Sequence, residues 1–387
     1  MIYFDNGATT YPKPEIVFRQ TVNGFKNYSF NSGRGGYSAS ISASERIYNV
    51  REKIGLMFGA EPQNIVFTKN CTEALNIAIK GLVKKGDHII ISSLEHNAVF
   101  RPVYALHSAG YIDFDIADFS FDEDETVANF ERLIRRNTSL IVCMHSSNVF
   151  GVVFPIKKIS EMAKRHNVRF VVDCAQSAGI LPVNMKEFNI DAICAPGHKS
   201  LYGAMGTGFA AFADNMDIST IIEGGTGSES LNPKQPLLLP DRLESGTLNN
   251  AGIISLGAGI DFINRRGMDN IYNHELLLID YIYHGLEKIP NVKLYCPKPE
   301  KNKSTPLLSF NFKDYSSEKA AAYLARNNIA VRAGLHCAPL AHKHFGTVET
   351  GTVRICPSVF TTKKDCEILI NNKEKGKYNA EFNIGIF

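Results

Sequence analysis

Nothing in the sequence resembles a membrane anchor. No apolar stretch approaches the roughly 18–20 residues that span a bilayer. The first ten residues, Met1-Ile2-Tyr3-Phe4-Asp5-Asn6-Gly7-Ala8-Thr9-Thr10, carry neither a basic leader nor an apolar segment, so no secretory signal is expected. Charge of one sign is not in excess: 42 Lys+Arg against 39 Asp+Glu leave a net charge of +3. That balance gives no reason to expect nucleic acid or an anionic membrane as a partner. Cysteines are few and scattered. The eight thiols, at 71, 143, 174, 194, 296, 337, 356 and 366, form no short-spaced framework, which fits reduced thiols and a cytoplasmic location. Internal repeats, low-complexity tracts and a P-loop are missing, and Gly206-Thr207-Gly208 lacks the third glycine of a dinucleotide-binding turn.

The composition, 44% apolar and 21% charged over 387 residues, is that of an ordinary globular chain long enough for two domains. From residue 40 to about 212, helical and strand periods alternate. Ser40–Phe58, Glu73–Leu82, Val99–Ala109 and Ile156–His166 read as helices. Asn64–Thr68, His88–Ser92, Ser139–His145, Val168–Asp173, Ile190–Ala195 and Thr207–Phe212 read as strands. Such alternation predicts an α/β fold with a mostly parallel sheet covered on both faces. Gly224–Ser228 and Pro233–Pro240 interrupt it as a long loop, before helices over Asn250–Asn264 and Asn273–Leu286. After residue 290, strands over Leu307–Phe312 and Ile329–Arg332 flank a helix over Ser317–Arg326, a smaller α+β unit.

Two elements near the middle of the chain point to chemistry. Ala195-Pro196-Gly197-His198-Lys199 follows one expected strand, and Asp173-Cys174-Ala175-Gln176 ends another. Pyridoxal phosphate needs a lysine for its Schiff base and an acid for its pyridine nitrogen. Ligands of α/β sheets bind at the carboxyl ends of strands, where Lys199 and Asp173 both fall. Gly197 permits close backbone approach, and Gln176 can donate to a ring oxygen. Lys69-Asn70-Cys71-Thr72-Glu73 spans a strand-to-helix junction suited to a phosphate. His96, after the strand at 88–92, is a candidate acid/base that can stack on a ring. Arg354 can hold a carboxylate through two hydrogen bonds. Cys337 is a candidate nucleophile on a loop without periodicity, with Arg332, His336 and His342 as cationic neighbours for a thiolate. Plainer readings stay open: a helix N-cap for Asp173 or Thr72, a capping-box partner for Gln176, an ion pair for Arg354, a structural His96, and an inert Cys337. Cys337, His342 and His344 have ligand-like spacing but are not a closed set, and no metal is expected.

These residues resemble the fold-type I, class V aminotransferase-like enzymes. The closer likeness is to the group II cysteine desulfurases and selenocysteine lyases. The resemblance runs from Tyr3 to about Lys364. Its signposts, in order, are Asp5-Asn6-Gly7-Ala8-Thr9-Thr10, Cys71-Thr72-Glu73-Ala74, Glu95-His96-Asn97, Asp173-Cys174-Ala175-Gln176, Gly197-His198-Lys199, Glu244-Ser245-Gly246-Thr247-Leu248-Asn249 and Arg332-Ala333-Gly334-Leu335-His336-Cys337. It implies a large pyridoxal-phosphate domain over 15–255 and a small domain over 256–387, with 1–14, that carries the cysteine loop. It implies that Lys199 bears the cofactor and His96 stacks on it, while Asp173 and Gln176 address its nitrogen and phenolic oxygen. Asn148 lies near that oxygen and the substrate. Thr72 and His198 hold the phosphate, with Cys71 among the cofactor-binding residues although it replaces a common threonine. Arg332 and Arg354 face the substrate, and Thr247 reaches the phosphate of a second subunit in a homodimer. The implied reaction takes L-cysteine to L-alanine, with a persulfide on Cys337 that an acceptor protein collects. Alternatives are a selenocysteine lyase acting on L-selenocysteine, another class V aminotransferase or lyase, or a metal-binding or sulfur-relay protein without the cofactor. Pro196 and Tyr37 depart from the family pattern, where a hydroxyl residue and a histidine are expected. The lysine-rich tail after Asn371 offers no apolar face for the final helix expected there.

Overall fold

The computed structural model describes residues 1–371 apart from Arg34 and Asp314, so the tail after Asn371 lies outside the described residues. Twelve strands are described: β1 (Ile2–Tyr3), β2 (Ile65–Thr68), β3 (His88–Ser92), β4 (Asp113–Ala117), β5 (Thr138–Met144), β6 (Arg169–Asp173), β7 (Ala192–Pro196), β8 (Gly208–Phe212), β9 (Val292–Leu294), β10 (Leu308–Phe312), β11 (Ile329–Ala330) and β12 (Val353–Ile355). The helices are α1 (Glu15–Asn27), α2 (Ser38–Phe58), α3 (Cys71–Leu82), α4 (Asn97–Ser108), α5 (Glu123–Glu131), α6 (Ile156–Arg165), α7 (Met185–Phe188), α8 (Asn250–Arg266), α9 (Met268–Glu287), α10 (Ser317–Arg326), α11 (Pro339–His344) and α12 (Lys363–Asn371). Among the described residues, no helix is long and apolar enough to cross a membrane.

The main sheet has seven strands in the order β2-β8-β7-β6-β5-β3-β4. The pairs β3·β4, β3·β5, β5·β6 and β6·β7 are parallel. The sequences of β3, β5, β6 and β7 are short, mainly apolar runs, buried on both faces because both faces are covered. Successive side chains point to opposite faces. Ile90, Ile141, Val172 and Ile193 therefore pack into one core with α2, α6 and α8. Their neighbours Ile89, Ile91, Val142, Val171 and Cys194 pack into a second core with α3 and α4. The expected strand at 207–212 is the one reversed member: β8 is antiparallel to both β2 and β7. The β7–β8 connection carries Lys199, and the pairing of Pro196 with Gly208 closes its base.

A third core gathers Phe4 with α9, β10, α10, β12 and α12. The sheet over it is β12-β10-β9, and β1 pairs in parallel with β11. Helix α8 crosses the 255/256 boundary unbroken, and its buried residues from Ile253 to Ile263 join the first core. Several elements were not expected from the sequence, among them α1, β4 and α11. Helix α1 packs Val17 and Gly24 against the first core at α8 and leaves Phe18, Val22 and Phe25 more than half exposed. Strand β4 is an edge strand with one fully buried residue, Ala117. Helix α11 has six residues, too few to display a period.

Candidate active site

The strand ends build the site. At the end of β6, Asp173 is 4% exposed. Its Oδ1 accepts from Ala175 N–H at 2.8 Å and from the Cys71 thiol at 3.5 Å. No helix follows, so Asp173 is not an N-cap and Gln176 is not its capping partner. Instead Gln176 Nε2 donates to the carbonyl of Gly7 at 3.0 Å. Burial pushes the Asp173 carboxyl up, while the nearby Lys199 pulls it down.

Lys199 follows β7. Gly197 sits so close to Thr207 that a Cβ would stand 2.3 Å from its Oγ1, which is the close approach that glycine allows. The N-terminal segment then clamps the lysine loop: Thr10 Oγ1 donates to the Lys199 carbonyl at 2.8 Å. Thr9 Oγ1 and Lys13 Nζ both donate to the His198 carbonyl, at 3.2 and 2.5 Å. Burial lowers the Lys199 amine most and Asp173 opposes the shift. A desolvated lysine of this kind is the usual nucleophile toward a carbonyl.

The end of β2 leads into α3. Its N-cap is Asn70, not Thr72: the Asn70 side chain accepts from Glu73 N–H at 2.9 Å. Cys71 and Thr72 open the first turn, whose free amides and dipole suit an anion. After β3, His96 Nδ1 accepts from Ala98 N–H at 3.0 Å, so Nε2 carries the proton. Burial, then Lys199 and Arg332, hold the ring neutral, its pKa lowered to about 4. Beyond β5, Asn148 Nδ2 donates to the His336 carbonyl at 2.9 Å. On β12, Arg354 is 2% exposed, its Nη1 donates to the Asn148 carbonyl at 2.9 Å and its Nη2 pairs with Asp5 at 2.7 Å. Arg332 lies beside it in an antiparallel bridge.

Cys71, Thr72, His96, Asn148, Asp173, Gln176, His198, Lys199, Arg332 and Arg354 line one cavity of about 210 Å³. Its volume suits a single-ring ligand, below the range of about 300–1,000 Å³ for drug-sized pockets. Four buried polar atoms on lining residues lack a protein partner: Asn148 Oδ1, His198 Nδ1, His336 Nδ1 and Arg354 Nε. Buried polar atoms are nearly always satisfied, so these await something in the cavity. A larger cavity of about 350 Å³ at the opposite ends of the central strands, where β6 and β7 begin, mixes Lys164, Arg169 and Lys186 with Glu61, Asp191 and Asp214. No buried polar atom there is orphaned, and nothing in it converges on one chemistry.

Two expected residues lie outside the 210 Å³ cavity. Thr247 lines a separate hollow of about 370 Å³ with Lys69, Glu73 and Glu244. Cys337 is exposed, but its carbonyl accepts from Asn97 N–H at 2.7 Å, which ties its loop to the residue after His96. The expected cationic shell of Cys337 needs correction. His336 Nε2 donates to the Thr352 carbonyl, and burial lowers its pKa to about 2. His342 bonds Thr347 Oγ1, and burial lowers it to about 4. Both are neutral near pH 7, because a buried imidazolium without an anion is costly. Among the described residues, no group of three His, Cys, Asp or Glu converges as a metal site, the Cys337, His342 and His344 spacing included. Sequence reasoning missed Asp5 as a partner of Arg354; its signal was the Asp5–Thr10 motif, which had no role assigned. Tyr37 is 54% exposed, packs its ring against Phe30 and does not line the cavity.

Comparison with known proteins fits this geometry. The aminotransferase class-V model matches residues 2–369. The chain belongs to the aminotransferase class-V family. A probable cysteine desulfurase of Methanothermobacter thermautotrophicus is 33% identical over 95% of this chain and 92% of its own length. A cysteine desulfurase of Thermococcus onnurineus, solved in its apo form, superposes with a TM-score of 0.88 at 29% identity, covering 96% of this chain and 94% of that one. The Escherichia coli cysteine desulfurase CsdA, solved as an S-sulfonic acid, superposes with a TM-score of 0.84 at 25% identity, covering 95% and 92%.

Proposed function

We propose that this class V enzyme is a pyridoxal phosphate-dependent cysteine desulfurase. It would take L-cysteine to L-alanine and leave the sulfur as a persulfide on Cys337. One observation carries the reading: Lys199 and Asp173 share a cavity whose edge is joined to the Cys337 loop by the 2.7 Å bond from Asn97 N–H. The names of the similar proteins support it.

The lining residues fit the cofactor. Lys199 offers the amine, Asp173 an acid beneath the ring nitrogen, and the amides of Cys71 and Thr72 with the orphaned Nδ1 of His198 a phosphate cradle. When bound, pyridoxal phosphate supplies an electron sink for charge developing at the substrate α-carbon. Asp173, buried and held at Oδ1, keeps its second oxygen for the ring nitrogen. Lys199, its amine pulled down by burial, is the base for the α-proton. Arg354 Nε, with Arg332 beside it, faces the substrate carboxylate. His96 is positioned to exchange a proton at Nε2. In the net reaction the substrate C–S bond breaks, an S–S bond forms at Cys337 Sγ, and protons from the two thiols and the base end on alanine and the persulfide.

A selenocysteine lyase is the second reading, favoured by one observation: Cys337 does not line the cavity, and selenium leaves with less help than sulfur. The supporting arrangement for a homodimer is Thr247 in a hollow apart from its own Lys199, with exposed Phe18, Val22, Phe25, Ile41 and Tyr48 on α1 and α2. The division into two lobes is better drawn near Gly267, between α8 and α9, than at 255. Eight unpaired cysteines accord with a cytoplasmic location.

The test is an assay of the yellow holoenzyme with L-cysteine and L-selenocysteine, quantifying alanine and sulfide or selenide. Cys337→Ala is expected to keep the visible absorbance and lose about 10²-fold or more in cysteine turnover. Full cysteine activity in that variant overturns the desulfurase reading; turnover of selenocysteine alone establishes the lyase.

A further inference from the structure

The segment 3–13 touches three walls of the cavity, and its carboxylate has no part in the reaction above. Residues 4–6 run beside Cys356, two positions after Arg354. Cys356 N–H donates to the Phe4 carbonyl at 2.7 Å, and Asn6 Nδ2 donates to the Cys356 carbonyl at 2.9 Å. Asp5 is in parallel register with Cys356, which brings its Oδ1 to 2.7 Å from Arg354 Nη2. The guanidinium is fixed at two more points. Nη1 donates to the Asn148 carbonyl at 2.9 Å. Gly7 lies flat against the group: a Cβ there would stand 3.2 Å from Cζ and 3.3 Å from Nη2. A guanidinium has five N–H donors in a rigid fork. With one edge held by Asp5 and the Asn148 carbonyl, the buried and unpartnered Nε is left on a cavity-lining residue.

We propose that Asp5 is a positioning residue that fixes the Arg354 fork for an incoming carboxylate, and so sets the preference of this enzyme for α-amino acids over simple amines. The proposal rests on the reading of Arg354 as the carboxylate site. The physical case is that a long side chain loses rotamer freedom when it binds. Asp5, Asn148 and Gly7 remove that cost before substrate arrives, which is preorganisation. Asp5 also keeps the buried cation paired while the site is empty of substrate.

The experiment uses the holoenzyme and reads the visible absorbance of the Lys199-bound cofactor during titration with L-alanine or with ethylamine. The two amines differ by one carboxylate. Asp5→Asn is expected to leave the starting spectrum unchanged, to raise the apparent Kd for L-alanine roughly tenfold or more, and to leave that for ethylamine unchanged. With L-cysteine, KM rises more than kcat falls, and Asp5→Glu recovers part of the loss. In Arg354→Lys, adding Asp5→Asn has little further effect, because the two act as one unit. Unchanged or tighter L-alanine binding in Asp5→Asn overturns the proposal, the latter by showing that Asp5 competes with substrate. Equal losses for both amines, or full additivity with Arg354→Lys, overturn it too. Alanine binding does not depend on sulfur chemistry. A wild type that shows this Asp5 dependence yet does not turn over cysteine refutes the desulfurase reading and leaves the role of Asp5 standing.

Discussion

Asp173 and Cys337 belong to one proposed reaction and are held in opposite ways. Asp173 ends β6, between β5 and β7, and is 4% exposed with Oδ1 held by a backbone amide and a thiol. Cys337 is exposed, and it follows His336 in a left-handed turn with φ values of 48° and 56° at the two positions. Two consecutive non-glycine residues there cost roughly 1–2 kcal/mol each. Charge stabilisation needs a fixed group in a low-dielectric setting, and strand ends provide that. A sulfur carrier must be reached by substrate and afterwards by an acceptor, so it belongs on an exposed turn. The neutral His336 and His342 sharpen the contrast: the imidazoles beside the cavity are uncharged, while the cationic partner left to the loop is Arg332.

Substitution at the floor should then have the largest effects. Lys199→Ala removes the covalent hold on the cofactor and the base together. Turnover is expected to fall by about 10⁴-fold or more, and the visible absorbance of a protein-bound Schiff base to disappear on gel filtration. Retention of that absorbance would assign the amine elsewhere. Asp173→Asn keeps shape and removes the acid beneath the ring, a loss of roughly 10²–10³-fold in kcat with the cofactor still bound. If kcat is unaffected while binding weakens, Asp173 is merely a structural cap, and the contrast with Cys337 collapses.

The floor was legible because its signals are local. Parallel strands buried on both faces read as mainly apolar runs, and Lys199, Asp173, His96 and Thr72 each follow one of them directly. The β7–β8 reversal was not legible, since the period of a strand says nothing of its direction. Helix α1 and strand β4 were missed because they bury little: α1 buries only Val17 and Gly24, and β4 only Ala117. Asp5 and Gly7 escaped because their partner is Arg354, some 350 positions away, and no spacing encodes that contact. The histidines of the cysteine loop were read as cations because charge state depends on burial, which a loop sequence does not disclose.

Glu95 offers the finest test of the floor's low dielectric. It precedes His96 and is fully buried, with Oε1 accepting from Ser92 Oγ and from Met144 N–H at 2.8 Å, and Oε2 without a partner. Burial, and the charge of Asp173 less strongly, push its carboxyl from 4.5 up to about 8. In the folded chain it is therefore protonated at neutral pH. Between about 4.5 and 8 the unfolded chain binds fewer protons than the folded one, so stability falls as pH rises through that window. Glu275, buried beside Tyr202 and also pushed to about 8, adds a second contribution of the same sign. His145 acts in the opposite sense: burial lowers it to about 3, so its contribution is lost as pH falls below 6.5, and His96, His198 and His342, each lowered to about 4, act with it. Glu95→Gln keeps the Oε1 acceptor and cannot ionise. Its melting temperature should decline less steeply than that of the wild type from pH 5 to 8, by a few degrees over the window at about 2–4 °C per kcal/mol. Well below pH 4.5, where Glu95 is protonated in the folded and the unfolded chain alike, the slope should be the same in both proteins. Identical slopes above pH 5 would mean that Glu95 is ionised in the folded chain. Asp173 would then share the floor with a second anion.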